Sequence, residues 1–221
     1  MRPNVITEVT DALKRLNDIL PLEAGLKSLC DEDALLYCKL LNSYAQRGSI
    51  LTRDEVAELV DDADQALDNL VASKLIVLDE AANPSGAYPF TSEEREHKVY
   101  INGVTAHCMC ALDALAVSPM FDTPTMIDSQ CRTTGEAIHI EQDGTAFTAG
   151  TLEAWFGINW GAATTDTVCA ASLCMEMIFL ADEKVAREWL AESPETREIF
   201  DLASAVEFAA GFFVPLAQHC R

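Results

Sequence analysis

The sequence predicts an α+β fold, in which a winged-helix-like three-helix region precedes a core of mixed or antiparallel sheet with flanking helices. Two patterns predict it. Apolar residues recur at helical spacing in the first third of the chain, whereas short alternating segments separated by turn residues dominate the middle. With 221 residues, 49% of them hydrophobic, the chain can bury a sizeable core. We divide it into residues 1–85, the helical region, and residues 86–221, the core.

The helical region is predicted to hold three helices followed by a small hairpin, the layout of a winged helix-turn-helix. Thr52 starts the second helix with a capping box, because its hydroxyl can accept a hydrogen bond from the backbone of Glu55 while the Glu55 carboxylate reaches back. Asn83-Pro-Ser-Gly86 indicates a turn between two short extended segments. The helices are expected over residues 33–45, from 53 onward and over 62–73, and the first strand over 75–78.

The charge of the chain argues against a nucleic-acid partner. Lys and Arg number 15 against 36 Asp and Glu, a formal net charge of -21, which repels nucleic acid and anionic membrane surfaces. The third helix, with which a winged helix would contact DNA, carries Asp62, Asp64 and Asp68 and has no basic residue before Lys74. We therefore expect this region to be a packing module that binds no nucleic acid.

The cellular location is predicted from the absence of membrane-spanning and secretory segments in the sequence. No segment approaches the roughly 18 apolar residues of a membrane span, and the start lacks the apolar segment and cleavage site of a secretory signal. We expect a cytoplasmic protein that does not associate with membranes. A reducing cytoplasm should leave the eight cysteines as free thiols. The sequence has no CxxC pair, and its four histidines do not fall at zinc-finger spacing, which argues against structural zinc.

The core is predicted to begin with a hairpin, because two alternating segments flank Asn102-Gly103. A buried helix follows, which Pro119 is expected to end. Asp143-Gly144 indicates a second hairpin, and the two tryptophans of residues 154–160 are interpreted as core or lid aromatics. The predicted strands cover residues 97–101, 104–108, 125–128, 137–141, 145–148 and 167–180, and the predicted helices cover 111–117, 183–191 and 194–216.

Cys110 and Asp113 lie three residues apart at the predicted start of the buried helix. At that spacing two side chains share a helix face, with roughly 5 to 6 Å between their Cβ atoms. The intervening and following residues are apolar, so an unpaired Asp113 would be desolvated and its pKa would rise. A partly protonated carboxyl beside a thiol can donate a proton near neutral pH. The alternative is an ordinary helix aspartate that points at water.

Three further thiols could complete a site with this pair. Cys131 lies near the end of a predicted strand, and Cys169 and Cys174 share the apolar segment 167–180. On a strand their odd separation would put Cys169 and Cys174 on opposite faces, so at most one of them would face a given pocket. Two thiolates from different segments make a soft site, which prefers Hg(II) or Cu(I) to hard ions. For any single cysteine, inert burial as a small hydrophobe is the alternative.

Three motifs together resemble the alkylmercury lyase family, also called organomercurial lyases. They are Cys110-Ala-Leu-Asp113, Cys131-Arg-Thr-Thr-Gly135 and the apolar segment that follows Ser172 and contains Cys174. The resemblance extends over residues 30–200 and includes a winged-helix-like region ahead of the catalytic one. On this basis residues 86–221 are expected to form an alkylmercury-lyase-like catalytic core.

The resemblance implies an enzyme that splits the carbon–mercury bond of an organomercurial substrate into a hydrocarbon and Hg(II). It implies that Cys110 and Cys174 are the mercury-binding thiolates, that Asp113 is the acid beside the mercury, and that Cys131 is structural. No cofactor is implied. Hg(II) is the bound product, and cytosolic thiols or a mercuric reductase would accept it.

Two other functions stay open on the residues alone. A soft-metal binding or sensing protein would capture Hg(II) or Cu(I) with the same thiols, but it needs no acid, so Asp113 distinguishes it from a lyase. A globular domain with inert buried cysteines would have no need for thiols and an acid to lie together. The joint match at positions 110, 113, 131 and 174 argues against that third function.

Overall fold

The computed structural model describes residues 3–164 and 168–221, with side chains from residue 8 onward. Within these ranges the chain forms eight α-helices and two antiparallel sheets, which confirms the predicted α+β class. None of the described helices is both long and apolar enough to cross a membrane. Two helices that the sequence patterns did not predict come first, α1 (Pro3–Ile19) and α2 (Leu22–Lys27).

The winged-helix-like region is present as predicted, with three helices followed by an antiparallel hairpin. Thr52 and Glu55 form the expected capping box. The predicted turn at 83–86 is wrong, because Asp79 closes the turn earlier by accepting from the backbone N–H groups of Ala81 and Asn83. The elements are α3 (Asp31–Arg47), α4 (Arg53–Ala57), α5 (Ala63–Ala72), β1 (Ile76–Leu78) and β2 (Pro84–Ala87).

The larger sheet has eight strands in the order β1-β2-β3-β5-β4-β6-β7-β8. Both hairpins of the core that the sequence predicts are found in it. Strand β2 spans the predicted boundary between residues 85 and 86, so one sheet joins the two regions; the division into two domains stays a prediction. The remaining strands are β3 (Phe90–Thr91), β4 (Lys98–Ile101), β5 (Val104–Cys108), β6 (Thr125–Gln130), β7 (Ala137–Asp143) and β8 (Ala146–Gly150).

The smaller sheet has the order β10-β9-β11 and corrects two predictions. The helix predicted over 194–216 begins only at residue 202, because residues 197–201 pair with β9 and Asp201 caps the helix through Ser204 N–H. Strand β9 includes Trp155 and was not predicted. The elements are β9 (Trp155–Asn159), β10 (Met177–Leu180), α7 (Glu183–Glu192), β11 (Arg197–Asp201) and α8 (Leu202–His219).

The strand predicted over 167–180 is also wrong over most of its length. Only β10 is extended; residues Cys169–Ala171 and Leu173–Glu176 form two 3-10 turns, and Thr167 lies outside the described residues. The backbone N–H groups of Ser172 and Met175 bond to carbonyls three residues earlier, which leaves them unavailable to a sheet.

Helix α6 (Ala111–Phe121) lies buried at the centre of the molecule, packed against α8, β6 and β10. Pro119 was expected to end it but lies inside it. A proline at this position removes the N–H that would bond to the Leu115 carbonyl. The Gln142 side-chain amide donates to that carbonyl at 2.8 Å, so the helix continues until Asp122, whose φ of 51° ends it.

Tight contacts join the winged-helix-like region to the sheet that carries the site. The Tyr44 and Phe90 rings stack with centroids 5.0 Å apart, and the Tyr37 hydroxyl donates to the Tyr88 carbonyl at 3.2 Å. Gly48 ends α3 at φ 76°, where a Cβ atom would lie 2.4 Å from the Thr105 carbonyl oxygen on β5. Only glycine permits this approach of helix to strand.

A disulfide joins Cys38 on α3 to Cys220 after the end of α8, across 182 residues of sequence. The expectation that all eight cysteines are free thiols is therefore wrong for this pair. Their Cα atoms lie 5.2 Å apart, within the span that a disulfide bridges. The other six cysteines are free.

Candidate active site

Cys110 stands at the junction between β5 and α6. Its backbone is extended, at φ -155° and ψ 178°, and its Sγ atom caps the helix by accepting from the Asp113 backbone N–H at 3.5 Å. A helix N-terminus stabilises negative charge, so the position favours a thiolate once one forms. The Cys110 side chain is 1% exposed, which keeps that sulfur out of water.

Cys174 approaches the same point from the second 3-10 turn, immediately before β10. The Sγ atoms of Cys110 and Cys174 and a carboxylate oxygen of Asp113 all lie within 4.8 Å of one another. All three side chains are buried. The structure therefore brings together the two thiols and the acid that the sequence singled out, from segments more than 60 residues apart.

Cys169 and Cys174 do not point to opposite faces, as a strand would have required. Their Sγ atoms lie 3.6 Å apart, because two turns rather than a strand connect them. Cys169 is partly exposed, whereas Cys174 is buried. A third thiol therefore adjoins the cluster, which sequence reasoning missed because it assigned the wrong periodicity to this segment.

Both clustered thiols favour the neutral form, because their pKa values are raised. Burial raises the pKa of Cys110 to about 12, and its thiol donates to the Met177 Sδ atom at 3.5 Å. Hydrogen bonds with the thiols of Cys110 and Cys169, and then burial, raise the pKa of Cys174 well above its ordinary value. Each thiol must therefore give up a proton when a metal binds.

Asp113 titrates near neutrality. Burial raises the pKa of its carboxyl to about 7, against the lowering effects of a hydrogen bond with Cys110 and the charge of Arg95. Its Oδ2 atom has no hydrogen-bond partner among the described residues. A buried carboxyl with a free oxygen and this pKa can both accept and donate a proton at physiological pH. The alternative of a solvent-facing aspartate is wrong.

Arg95 hydrogen-bonds to both chain segments that carry the clustered thiols. Its Nη1 group donates to the Met109 carbonyl at 3.0 Å, next to Cys110, and to the Ala170 carbonyl at 2.9 Å, on the turn that leads to Cys174. No sequence pattern indicates a role for Arg95, because its partners are backbone atoms that are far apart along the chain.

Cys131 is not part of this cluster. Burial opposes ionisation of its thiol, but hydrogen bonds from Thr133 and Thr134 outweigh burial and lower the pKa below its ordinary value. The next residue donates its backbone N–H to the Phe179 carbonyl on β10 at 3.1 Å. This loop therefore supports the strand that follows Cys174, and the structural role of Cys131 stays a prediction.

A cavity of about 650 Å³ adjoins the cluster. Most of its lining is apolar, and it includes the end of α1. Lining residues on the described part of the chain include Leu20, Val71, Ile76, Tyr88, Val168 and Cys169.

Two buried thiols and a carboxyl with a pKa of about 7, on this α+β fold, form a set of groups that suits a soft metal ion beside a proton donor. The comparisons with known proteins agree. The family model described as alkylmercury lyase matches residues 90–214, more than half of the chain. The chain belongs to the alkylmercury lyase family.

A solved structure supports the fold. The chain is similar to a protein described as the mercury-bound form of MerB2, with a TM-score of 0.71 and 18% sequence identity. The similarity covers 92% of this chain and 99% of that one. A comparison with curated protein sequences gives no significant match.

Proposed function

We propose that this chain cleaves the carbon–mercury bond of organomercurials by protonolysis, and that Cys110, Cys174 and Asp113 perform the reaction. The observation that carries the proposal is the cluster itself, in which two buried sulfurs and a carboxylate oxygen lie within 4.8 Å of one another. Metal binding alone requires only the thiols. The carboxyl of pKa about 7 is the additional group that a lyase needs.

The first part of the reaction is ligand exchange at mercury. An organomercurial arrives as its adduct with a small thiol, and one protein thiol replaces that ligand, its proton leaving with the small thiol. The second protein thiol then binds while its proton passes to the Asp113 carboxylate. Two sulfur donors on mercury push electron density toward the carbon, and the helix N-terminus beneath Cys110 stabilises the charge on its sulfur.

The second part is proton transfer to carbon. The Asp113 carboxyl gives its proton to the carbon, the carbon–mercury bond breaks, and its electron pair becomes the new carbon–hydrogen bond. Asp113 returns to the carboxylate, and Hg(II) remains on Cys110 and Cys174. In balance, one organomercury–thiol adduct and two cysteine thiols give one hydrocarbon, one small thiol and one Hg(II) dithiolate.

Mercury stays divalent throughout, so this sequence of steps needs no redox cofactor. Burial of the cluster excludes water, which strengthens the electrostatic interactions between the groups that exchange the proton. Hg(II) would pass to cytosolic thiols or to a mercuric reductase, since the enzyme must be emptied before the next turnover.

Headspace gas chromatography tests the proposal by detecting benzene from phenylmercury in the presence of excess thiol. We expect benzene from the wild type and from Cys30→Ser, a control at an exposed free thiol. Cys110→Ala and Cys174→Ala should release none, because one sulfur donor cannot polarise the bond sufficiently. Full activity in Cys174→Ala would refute the two-thiolate assignment. Tight mercury binding by the wild type without benzene would support the soft-metal binding function instead.

A further inference from the structure

Three thiols lie between the cavity and the buried Asp113, and their solvent exposure decreases toward Asp113. Cys169 lines the cavity and is partly exposed, Cys174 is 3% exposed, and Cys110 is 1% exposed beside Asp113. Cys110 and Cys174 do not line that cavity. A thiol compound that enters it therefore meets Cys169 before it can approach either sulfur of the buried pair.

The position of Cys169 is fixed by its neighbours. The next residue, Ala170, donates its backbone N–H to the Tyr88 hydroxyl at 2.9 Å and accepts from Arg95 at 2.9 Å. These two bonds hold the turn against the site, with the Cys169 Sγ atom 3.6 Å from that of Cys174. The protonolysis steps above use two sulfurs, so they leave this third thiol without a role.

We propose that Cys169 is a transfer thiol that moves Hg(II) from the buried pair to acceptors in the cavity, an inference that rests on the proposed function. The Cys169 sulfur binds the mercury held by Cys110 and Cys174, and its proton passes to the Cys110 sulfur as that sulfur leaves. Mercury then lies on Cys169 and Cys174. Two acceptor thiols next replace these two sulfurs, and each acceptor proton passes to the cysteine that departs. No atom is oxidised or reduced.

The physical reason is access. Exchange of thiolates at Hg(II) requires the incoming sulfur to reach the metal before the outgoing one leaves, as in thiol–disulfide exchange. Burial of Cys110 and Cys174 limits that approach from solvent, whereas Cys169 lies beside Cys174 and also lines the cavity. An intramolecular nucleophile held beside its target acts at an effective concentration far above that of a free thiol.

Stopped-flow transfer of inorganic Hg(II) tests the proposal independently of the lyase chemistry. Protein loaded with one equivalent of HgCl2 is mixed with a dithiol chelator, and the rate of mercury transfer is compared among wild type, Cys169→Ser and the control Cys30→Ser. We expect transfer from Cys169→Ser to slow by about tenfold or more, because it loses the intramolecular thiol. Transfer at the wild-type rate in Cys169→Ser would overturn the proposal.

A second measurement keeps the proposal testable if Cys169→Ser folds poorly. X-ray absorption of Cys110→Ser loaded with one equivalent of Hg(II) should show two sulfur ligands, supplied by Cys169 and Cys174. The double variant Cys110→Ser, Cys169→Ser should show one. A single sulfur ligand already in Cys110→Ser would contradict the transfer pair. Benzene release by the wild type is measured alongside, so that failure of the lyase proposal is distinguished from failure of the transfer thiol.

Discussion

The backbone N–H of Asp113 donates to the Cys110 sulfur at 3.5 Å, so the residue that places a carboxyl beside the thiol also positions that thiol. The first turn of α6 thereby places the sulfur at the positive end of the helix dipole and the carboxyl on the same face. A single local motif therefore contains both the proposed metal ligand and the proposed proton donor, and only the second thiol comes from a distant segment.

The first prediction concerns stability against pH. Burial raises the Asp113 pKa from 3.8 to about 7, so the native state holds this proton more tightly than the unfolded chain. The resulting stabilisation is present at low pH and is lost as pH rises through about 7. Relative to Asp113→Asn, which has no such carboxyl, the wild type should lose about 2 to 3 kcal/mol between pH 5 and pH 8. Denaturant unfolding of both proteins at each pH measures this; parallel pH curves would contradict it.

The second prediction concerns protons released by mercury. Burial raises the Cys110 pKa to about 12, and hydrogen bonding raises that of Cys174, so both thiols are protonated at pH 9. One equivalent of HgCl2 at pH 9, in buffer with enough chloride to keep hydroxide off the metal, should therefore release close to two protons, which calorimetry in buffers of different ionisation enthalpy can count. Two thiols with the ordinary pKa of about 8.5 would be about three-quarters ionised there and release only about half a proton in total. Release of a single proton by the wild type would be inconsistent with two neutral thiols.

The third prediction concerns Arg95 as a positioning residue. Arg95→Met removes the bonds to Met109 and Ala170, which should misplace the two thiols and lower kcat by about tenfold or more, since misplacement of reacting groups is costly. It also removes a cation that lowers the Asp113 pKa, so the carboxyl should titrate at higher pH by NMR. Arg95→Lys should keep the pKa near that of the wild type and recover only part of kcat. An unchanged Asp113 titration in Arg95→Met would refute this account.

The fourth prediction concerns the Cys38–Cys220 disulfide. It closes a very long loop, so Cys220→Ser should lower the free energy of unfolding by about 2 to 5 kcal/mol. Reductant should destabilise the wild type similarly and leave Cys220→Ser unaffected, as denaturant titrations with and without reductant would show. Equal unfolding midpoints for the two proteins without reductant would show that the bond contributes nothing.

The local part of the site could be predicted from the sequence, because Cys110 and Asp113 are three residues apart at the start of one helix, where the cap residue and the first turn lie close together. The capping box at Thr52 was predictable for the same reason. These features depend on neighbours along the chain.

The remaining features depend on contacts between distant segments. Pro119 lies within α6 because Gln142, 23 residues later, donates a hydrogen bond to the Leu115 carbonyl, which proline leaves without an N–H partner. Cys169 faces Cys174 because Arg95 and Tyr88 hold the turn between them. The disulfide partner of Cys38 lies 182 residues away. Periodicity within one segment carries no information on any of these.

The central claim is that Asp113 supplies the proton, and a single-turnover measurement with Asp113→Asn tests it most directly. Each protein is mixed with substoichiometric phenylmercury, and bound mercury and released benzene are followed in the same sample. We predict that the variant still binds phenylmercury through a thiol but forms benzene at least about 100-fold more slowly than the wild type, the scale expected when a general acid is lost. Benzene release by Asp113→Asn at the wild-type rate would show that another group protonates the carbon.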